Sequence, residues 1–163
     1  MIKAAIVYFS KTGNTKTMGE EIAKGMQEVA GVEPVLYDLE KVTPEQLDEC
    51  QTIVFGTPTY IANFAWQVKK WFDEAHKFKL GGKLGAAYAT AAMPQGGADV
   101  AIHTLLEHML VKGMVVYSGG SACGTPFIHL GACAWHDTFE KDKEMMRIFG
   151  QRIAQKSLDL FAK

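Results

Sequence analysis

The sequence predicts a doubly wound α/β domain with a parallel sheet, and three observations carry that expectation. Short apolar runs recur at Ala4–Phe9, Val35–Leu39, Ile53–Gly56, Leu84–Thr90 and Met114–Tyr117. Amphipathic helical stripes lie between them, so strand and helix signals alternate from end to end. The first, third and fifth runs show no polar alternation, as expected of strands covered on both faces. Such an order is met by right-handed crossovers over one sheet. With 163 residues, 48% of them hydrophobic, the chain is sized for a single domain over 1–163 around one core.

Each element has its own signal. Met18, Ile22, Met26 and Val29 step by four, four and three after the first strand, which is one face of a helix. Val35–Leu39 follows Pro34 and is more mixed in character, as an edge strand is. Thr43-Pro44-Glu45-Gln46 reads as a capping box with proline at the first helical position. Phe64, Val68, Trp71, Phe72 and Ala75 make a second helical face, and Ala98, Ala101, Ile102, Leu105, Leu106, Met109 and Leu110 a third. Asp137 with Glu140 three residues later predicts the start of the last helix, whose apolar side carries Met145, Ile148, Phe149 and Ile153. Trp71, Phe72 and the methionines of these stripes are assigned to the core.

Composition narrows the function classes. A net charge of −1 gives no support to nucleic-acid or membrane-surface binding. No apolar run reaches the ~18 residues of a membrane span, and no charged segment leads into one, so neither span nor signal peptide is expected. Cys50, Cys123 and Cys133 are odd in number and lack disulfide-framework spacing, which fits a reducing cytoplasm. The stretch 118–137 holds Cys123, Phe127, His129, Cys133, Trp135 and His136. Its spacings match no strong zinc pattern, so no metal is assigned. Loops longer than ~12–15 residues are commonly functional. This one is expected to cover a pocket or form a subunit contact, with Trp135 and Phe127 as apolar anchors.

The chemistry concentrates in Ser10-Lys11-Thr12-Gly13-Asn14-Thr15, between the first strand and the first helix. A helix N-terminus with free amides attracts phosphate. Gly13 removes the Cβ that would hold an anion off the backbone, and Ser10, Thr12 and Thr15 can each donate to it. No glycine stands two residues before Gly13, and no Gly-Lys-Ser/Thr follows. The dinucleotide fingerprint and the nucleoside-triphosphate loop are therefore both excluded. A receiver domain would need acidic residues where Ser10 stands. A phosphomonoester held by hydroxyls and amides remains.

The pattern Ser-x-Thr-Gly-x-Thr resembles the flavodoxin phosphate loop. That resemblance implies flavin mononucleotide (FMN) as cofactor and a five-stranded flavodoxin-like sheet of order 2-1-3-4-5, with its ligand crevice at the carboxyl ends of strands one and three. The loops bordering the crevice are then 10–15, 57–63 and 90–97. Pro58, Thr59, Tyr60, Ile61, Ala62 and Asn63 resemble a segment of the tryptophan-repressor-binding-protein (WrbA-like) branch, which contains NAD(P)H:quinone oxidoreductases. Amides of Thr59 to Ala62 would meet the edge of the flavin ring and Tyr60 or Ile61 a face, while Asn63 reads as the N-cap of the next helix. Thr90, Ala91, Ala92, Met93, Pro94, Gln95 and Gly96 would let backbone approach the ring closely. This third loop carries no aromatic residue, so Tyr60 or Trp135 must supply any stacking face. Lys112 stands where the resemblance places a histidine at the flavin.

The expected function is an FMN-binding redox protein acting with NAD(P)H on quinones or similar acceptors. The alternatives are a flavodoxin-type one-electron carrier or a flavin-binding module without turnover. No catalytic residue is assigned. The implied partners are NAD(P)H or a redox protein as donor and a small molecule or protein as acceptor, with homo-oligomerisation left open.

Overall fold

The computed structural model describes residues 1–162. In chain order the elements are β1 (Ile2–Tyr8), α1 (Asn14–Gln27), β2 (Val32–Asp38), α2 (Pro44–Asp48), β3 (Thr52–Tyr60), β4 (Asn63–Phe64), α3 (Trp66–Glu74), β5 (Leu84–Ala91), α4 (Ala98–Val111), β6 (Val115–Val116), β7 (Ala132–Trp135) and α5 (Phe139–Phe161). The sheet follows the path β2-β1-β3-β5-β6, with β4 paired to β3 and β7 paired to β5. All pairings on that path are parallel, and β3 with β4 is antiparallel.

Seven strands replace the five expected, for two physical reasons. β3 runs past Gly56 to Tyr60 and folds back on itself, pairing Thr59 with Phe64 and Tyr60 with Asn63. The last strand is also divided. β6 pairs with β5 at Leu84 and Gly85, and β7 pairs at Tyr88 through Ala91. After the Tyr117 amide donates to the Gly85 carbonyl at 2.8 Å, residues 118–131 leave the sheet between the two halves. Arg152 of α5 holds this excursion by donating to the carbonyls of Gly119, Gly120, Cys123, Gly124 and Pro126. A guanidinium with its donors spread over several carbonyls substitutes for the ladder that the excursion lacks.

Alternate residues of the central strands face opposite helix layers. Ala5, Val7, Ile53, Phe55, Ala87 and Ala89 pack with Val68 and Phe72 of α3 and Ile102, Leu105 and Met109 of α4. Ala4, Ile6, Val54, Ala86 and Tyr88 pack with Met18, Ile22 and Met26 of α1 and Met146, Phe149 and Ile153 of α5. α1 and α5 touch backbone to backbone. A Cβ on Gly25 would lie 1.9 Å from the Arg147 carbonyl oxygen, and one on Gly150 would lie 2.1 Å from that of Ile22.

The Thr43 capping box forms, with both reciprocal bonds to Gln46. The box expected at Asp137 does not. A short turn, His136–Thr138, precedes α5, and Asp137 points outward beside His136 at 3.1 Å. Asp142 fixes the start of α5 instead, accepting from the Trp135 amide at 2.9 Å and the Thr138 hydroxyl at 2.7 Å. No helix among the described residues is long and apolar enough to cross a membrane.

Candidate functional site

The carboxyl ends of β1, β3 and β5 open onto a cavity of about 270 Å³. Its walls are Lys11, Thr12, Asn14 and Thr15, then Pro58, Thr59 and Tyr60, then Thr90, Ala91 and Ala92, with Ala134, His136 and Phe139 on the far side. Residues from all three predicted loops therefore converge. Among the described residues no carboxylate lines the cavity, whereas Lys11 and His136 do, the latter with the Asp137 carboxylate 3.1 Å from its ring.

Gly13 caps α1 with φ +95°, a left-handed conformation, and a Cβ there would meet nothing within 4 Å. Glycine is required by the backbone angle, not by crowding. The Ser10 hydroxyl accepts from the Lys16 amide at 3.2 Å, which leaves its proton free to donate. Thr15 is buried, and its hydroxyl lies 2.8 Å from that of Thr90. The first and third loops thus touch through paired hydroxyls.

The second loop is a hairpin whose turn residues, Ile61 and Ala62, have φ of +48° and +58°. Two positive φ values match the twist of a two-residue hairpin, but side chains other than Gly, Asn or Asp are rare there. Ile61 is fully exposed at the tip. Gly97, with φ +89°, lets the third loop reach this turn, since a Cβ there would lie 2.7 Å from the Ala62 backbone. The Thr57 hydroxyl accepts from the Ala65 amide at 3.1 Å and donates to the Pro58 carbonyl at 2.8 Å. The neighbouring Thr59 hydroxyl is buried and has no partner. A buried hydroxyl without a partner carries an uncompensated desolvation cost. The amide-and-hydroxyl cradle of the first loop fits a polar phosphorylated ligand.

Other predicted residues lie around the cavity and do not line it. Asn63 is in β4 and accepts from the Phe64 amide at 2.8 Å, while Ala65 takes the N-cap position of α3. The antiparallel pairing with Tyr60 keeps Asn63 extended, so it cannot begin the helix. Met93, Pro94, Gln95 and Gly96 form a surface turn closed by a bond from the Gly96 amide to the Met93 carbonyl. Trp135 packs toward the α3–α4 layer and does not face the cavity, because its strand alternation puts Ala134 there. Phe127 is exposed and anchors nothing, whereas its neighbour Ile128 is buried. Lys112 ends α4 beside Gly81 and Gly82, at the end of the sheet where β5 begins. Within this chain it cannot reach a cavity at the end where β5 finishes, so no role at the site follows for it.

Three further lining residues, Ala134, His136 and Phe139, were not assigned individually to the site, although Ala134 and His136 lie in the 118–137 stretch expected to cover a pocket or form a subunit contact. The usable signal was Ala132-Cys133-Ala134-Trp135, a small apolar run that resumes the last strand after a break. Burial, with Asp99 and Asp142 nearby, pushes the Cys133 thiol up to about 12, so it offers no thiolate near neutral pH. A larger cleft, about 520 Å³, lies between Leu39, Val42 and α3. It contains none of the phosphate-loop residues.

Residues 6–101 match the family model described as Flavodoxin. A flavodoxin of Clostridium saccharobutylicum is 46% identical over 160 residues, covering 98% of this chain and all of that one. A protein named NAD(P)H dehydrogenase (quinone) from Chromohalobacter salexigens is 26% identical, covering 98% of this chain and 99% of its own. Among solved structures, the flavodoxin, WrbA-like protein of Agrobacterium tumefaciens superposes with a TM-score of 0.81 at 22% identity, covering 98% of this chain and 99% of that one. Fusobacterium nucleatum flavodoxin bound to flavin mononucleotide gives 0.76 at 14% identity, over 96% and 99% of the two chains. Sequence match and parallel-sheet architecture agree, and the chain belongs to the flavodoxin family.

Proposed function

We propose that the chain, as one domain over 1–163, binds FMN and carries electrons between a donor and an acceptor protein. The observation that carries this is the convergence of Lys11, Thr12, Asn14 and Thr15 of the first loop with residues of the second and third loops on one cavity at the carboxyl ends of the central strands. In this arrangement Ser10, Thr12 and Thr15 hold the phosphate with the amides at the start of α1. Pro58 to Tyr60 and Thr90 to Ala92 hold the remainder of the ligand, with Tyr60 supplying an apolar face. Bound FMN would supply the redox chemistry. The chain's own part is orientation, partial exclusion of water, and a cavity wall without carboxylates to oppose added electrons.

The carrier reading is preferred to the quinone-reductase reading because flavodoxin of C. saccharobutylicum matches at 46% identity and the quinone dehydrogenase at 26%. The reductase remains the second reading. It is favoured by the Pro58–Asn63 resemblance and by the lack of an aromatic in 90–97, which leaves room for a nicotinamide. Anaerobic stopped-flow mixing of the FMN-loaded protein with NADH and with NADPH separates the two. The carrier reading expects no bleaching of the flavin bands within minutes by either nucleotide, and rapid bleaching selects the reductase.

A further inference from the structure

Beneath the phosphate loop, β5 carries Tyr88, whose side chain is wholly buried. Its hydroxyl donates to the Thr15 carbonyl at 2.8 Å. Two residues further on, and so on the same face of the strand, the Thr90 hydroxyl meets that of Thr15 at 2.8 Å. Thr15 is therefore gripped at two points by one strand. With Thr90 as donor in that pair, the Thr15 proton is free to point at a phosphate oxygen.

Two glycines make room for this phenol. A Cβ on Gly56 would lie 2.1 Å from Tyr88 Cζ, and one on Gly19 would lie 2.6 Å from the phenolic oxygen. Gly19 lies inside α1, where glycine is a poor helix former. Packing alone would be met by phenylalanine. Burial, with Tyr8 and Glu20 adding to it, holds the phenol well above its usual range, so the group stays a protonated donor.

We propose that Tyr88 is a positioning residue for the phosphate loop. By fixing the Thr15 carbonyl from below, it orients the first turn of α1 and so sets the preference for a phosphorylated flavin over the bare one. The inference rests on FMN being the ligand. Tyr88→Phe removes one oxygen and leaves the ring in place, so the fold and the cavity walls are retained.

The test titrates wild-type and Y88F apoprotein with FMN and with riboflavin. Wild type should prefer FMN. Y88F should lose about three- to tenfold in FMN affinity while riboflavin changes by less than about twofold, the effect of one hydrogen bond felt only at the phosphate. Absence of any FMN preference in wild type would overturn the ligand assignment itself. A wild-type preference that persists unchanged in Y88F, or equal losses for both flavins, would overturn the positioning role alone. Should the Y88F apoprotein be too unstable to titrate, the same comparison is made on flavin-loaded Y88F from the rates at which FMN and riboflavin dissociate. FMN release accelerated no more than riboflavin release overturns the positioning role.

Discussion

Gly13 and Thr59 show how much single positions reveal. A glycine among three hydroxyls at a strand-to-helix junction announces a left-handed residue at an anion cradle, and Gly13 has φ +95°. Gly13→Val should fold, because a Cβ there meets open space. Its strained angle should displace the loop, and the protein should purify without flavin colour. A yellow G13V protein of unchanged FMN affinity would place the phosphate elsewhere. Thr59 behaves in the opposite sense. Its buried, unpartnered hydroxyl is a cost to the apoprotein, so Thr59→Val should raise apoprotein stability by about 1 kcal/mol. Thermal melts of the two apoproteins check the sign. Tyr88 was not legible in the same way, because a tyrosine in an apolar run looks like core until its hydroxyl is seen to reach Thr15. Lys112 misled because position relative to a strand in sequence does not say at which end of the sheet a residue lies.

Elements were legible where their patterns were uninterrupted. β1 and β3 stood out as unbroken apolar runs, and the α2 capping box formed as its spacing predicts. The last strand was legible only in its first half, since residues 117–131 separate β6 from β7 and no local pattern links the two. Asp137 was mistaken for the α5 cap because an extra turn shifts the helix start, giving the anchoring role to Asp142. The α1–α5 contact supplies the sharpest stability prediction. Gly25→Ala and Gly150→Ala put a methyl into facing backbone, so each should destabilise by about 3 kcal/mol or more, read by denaturant unfolding. The same contact carries a pH dependence. Burial raises the Glu21 carboxyl, and hydrogen bonds from Lys24 and Arg147 outweigh it, leaving Glu21 below its usual value. A depressed folded-state value means the stabilisation is present above the unfolded carboxylate range. It is lost as pH falls through the lower folded value. Glu21→Gln should therefore flatten the acid limb of the stability curve relative to wild type.

At the scale of the molecule, the ligand end of the sheet was predictable because a doubly wound order fixes its crevice at the carboxyl ends of the central strands. The fourth wall was legible only as a stretch, 118–137, expected to cover a pocket or form a subunit contact, because Ala134, His136 and Phe139 arrive only after the interruption of the last strand. That wall shapes the cavity's electrostatics. The chain carries 17 basic and 18 acidic side chains, yet the lining residues include Lys11 and His136 and no carboxylate. Adding electrons to a bound flavin raises its negative charge, so a carboxylate introduced on this wall should oppose reduction. A unit charge ~8 Å away at an effective dielectric constant of ~40 corresponds to about 1 kcal/mol, on the order of 40 mV for one electron. His136→Asp should accordingly lower the flavin potential by an amount of that order. His136→Gln, which adds no charge, should shift it much less. The difference should shrink as salt is raised, because His136 is solvent-exposed at the cavity mouth. Spectroelectrochemical titration of the FMN-loaded variants at two ionic strengths measures all three quantities. If His136→Asp leaves the potential at the wild-type value while FMN stays bound, His136 lies too far from the ring to matter. The cavity's lack of carboxylates on that wall would then have no bearing on how readily the flavin is reduced.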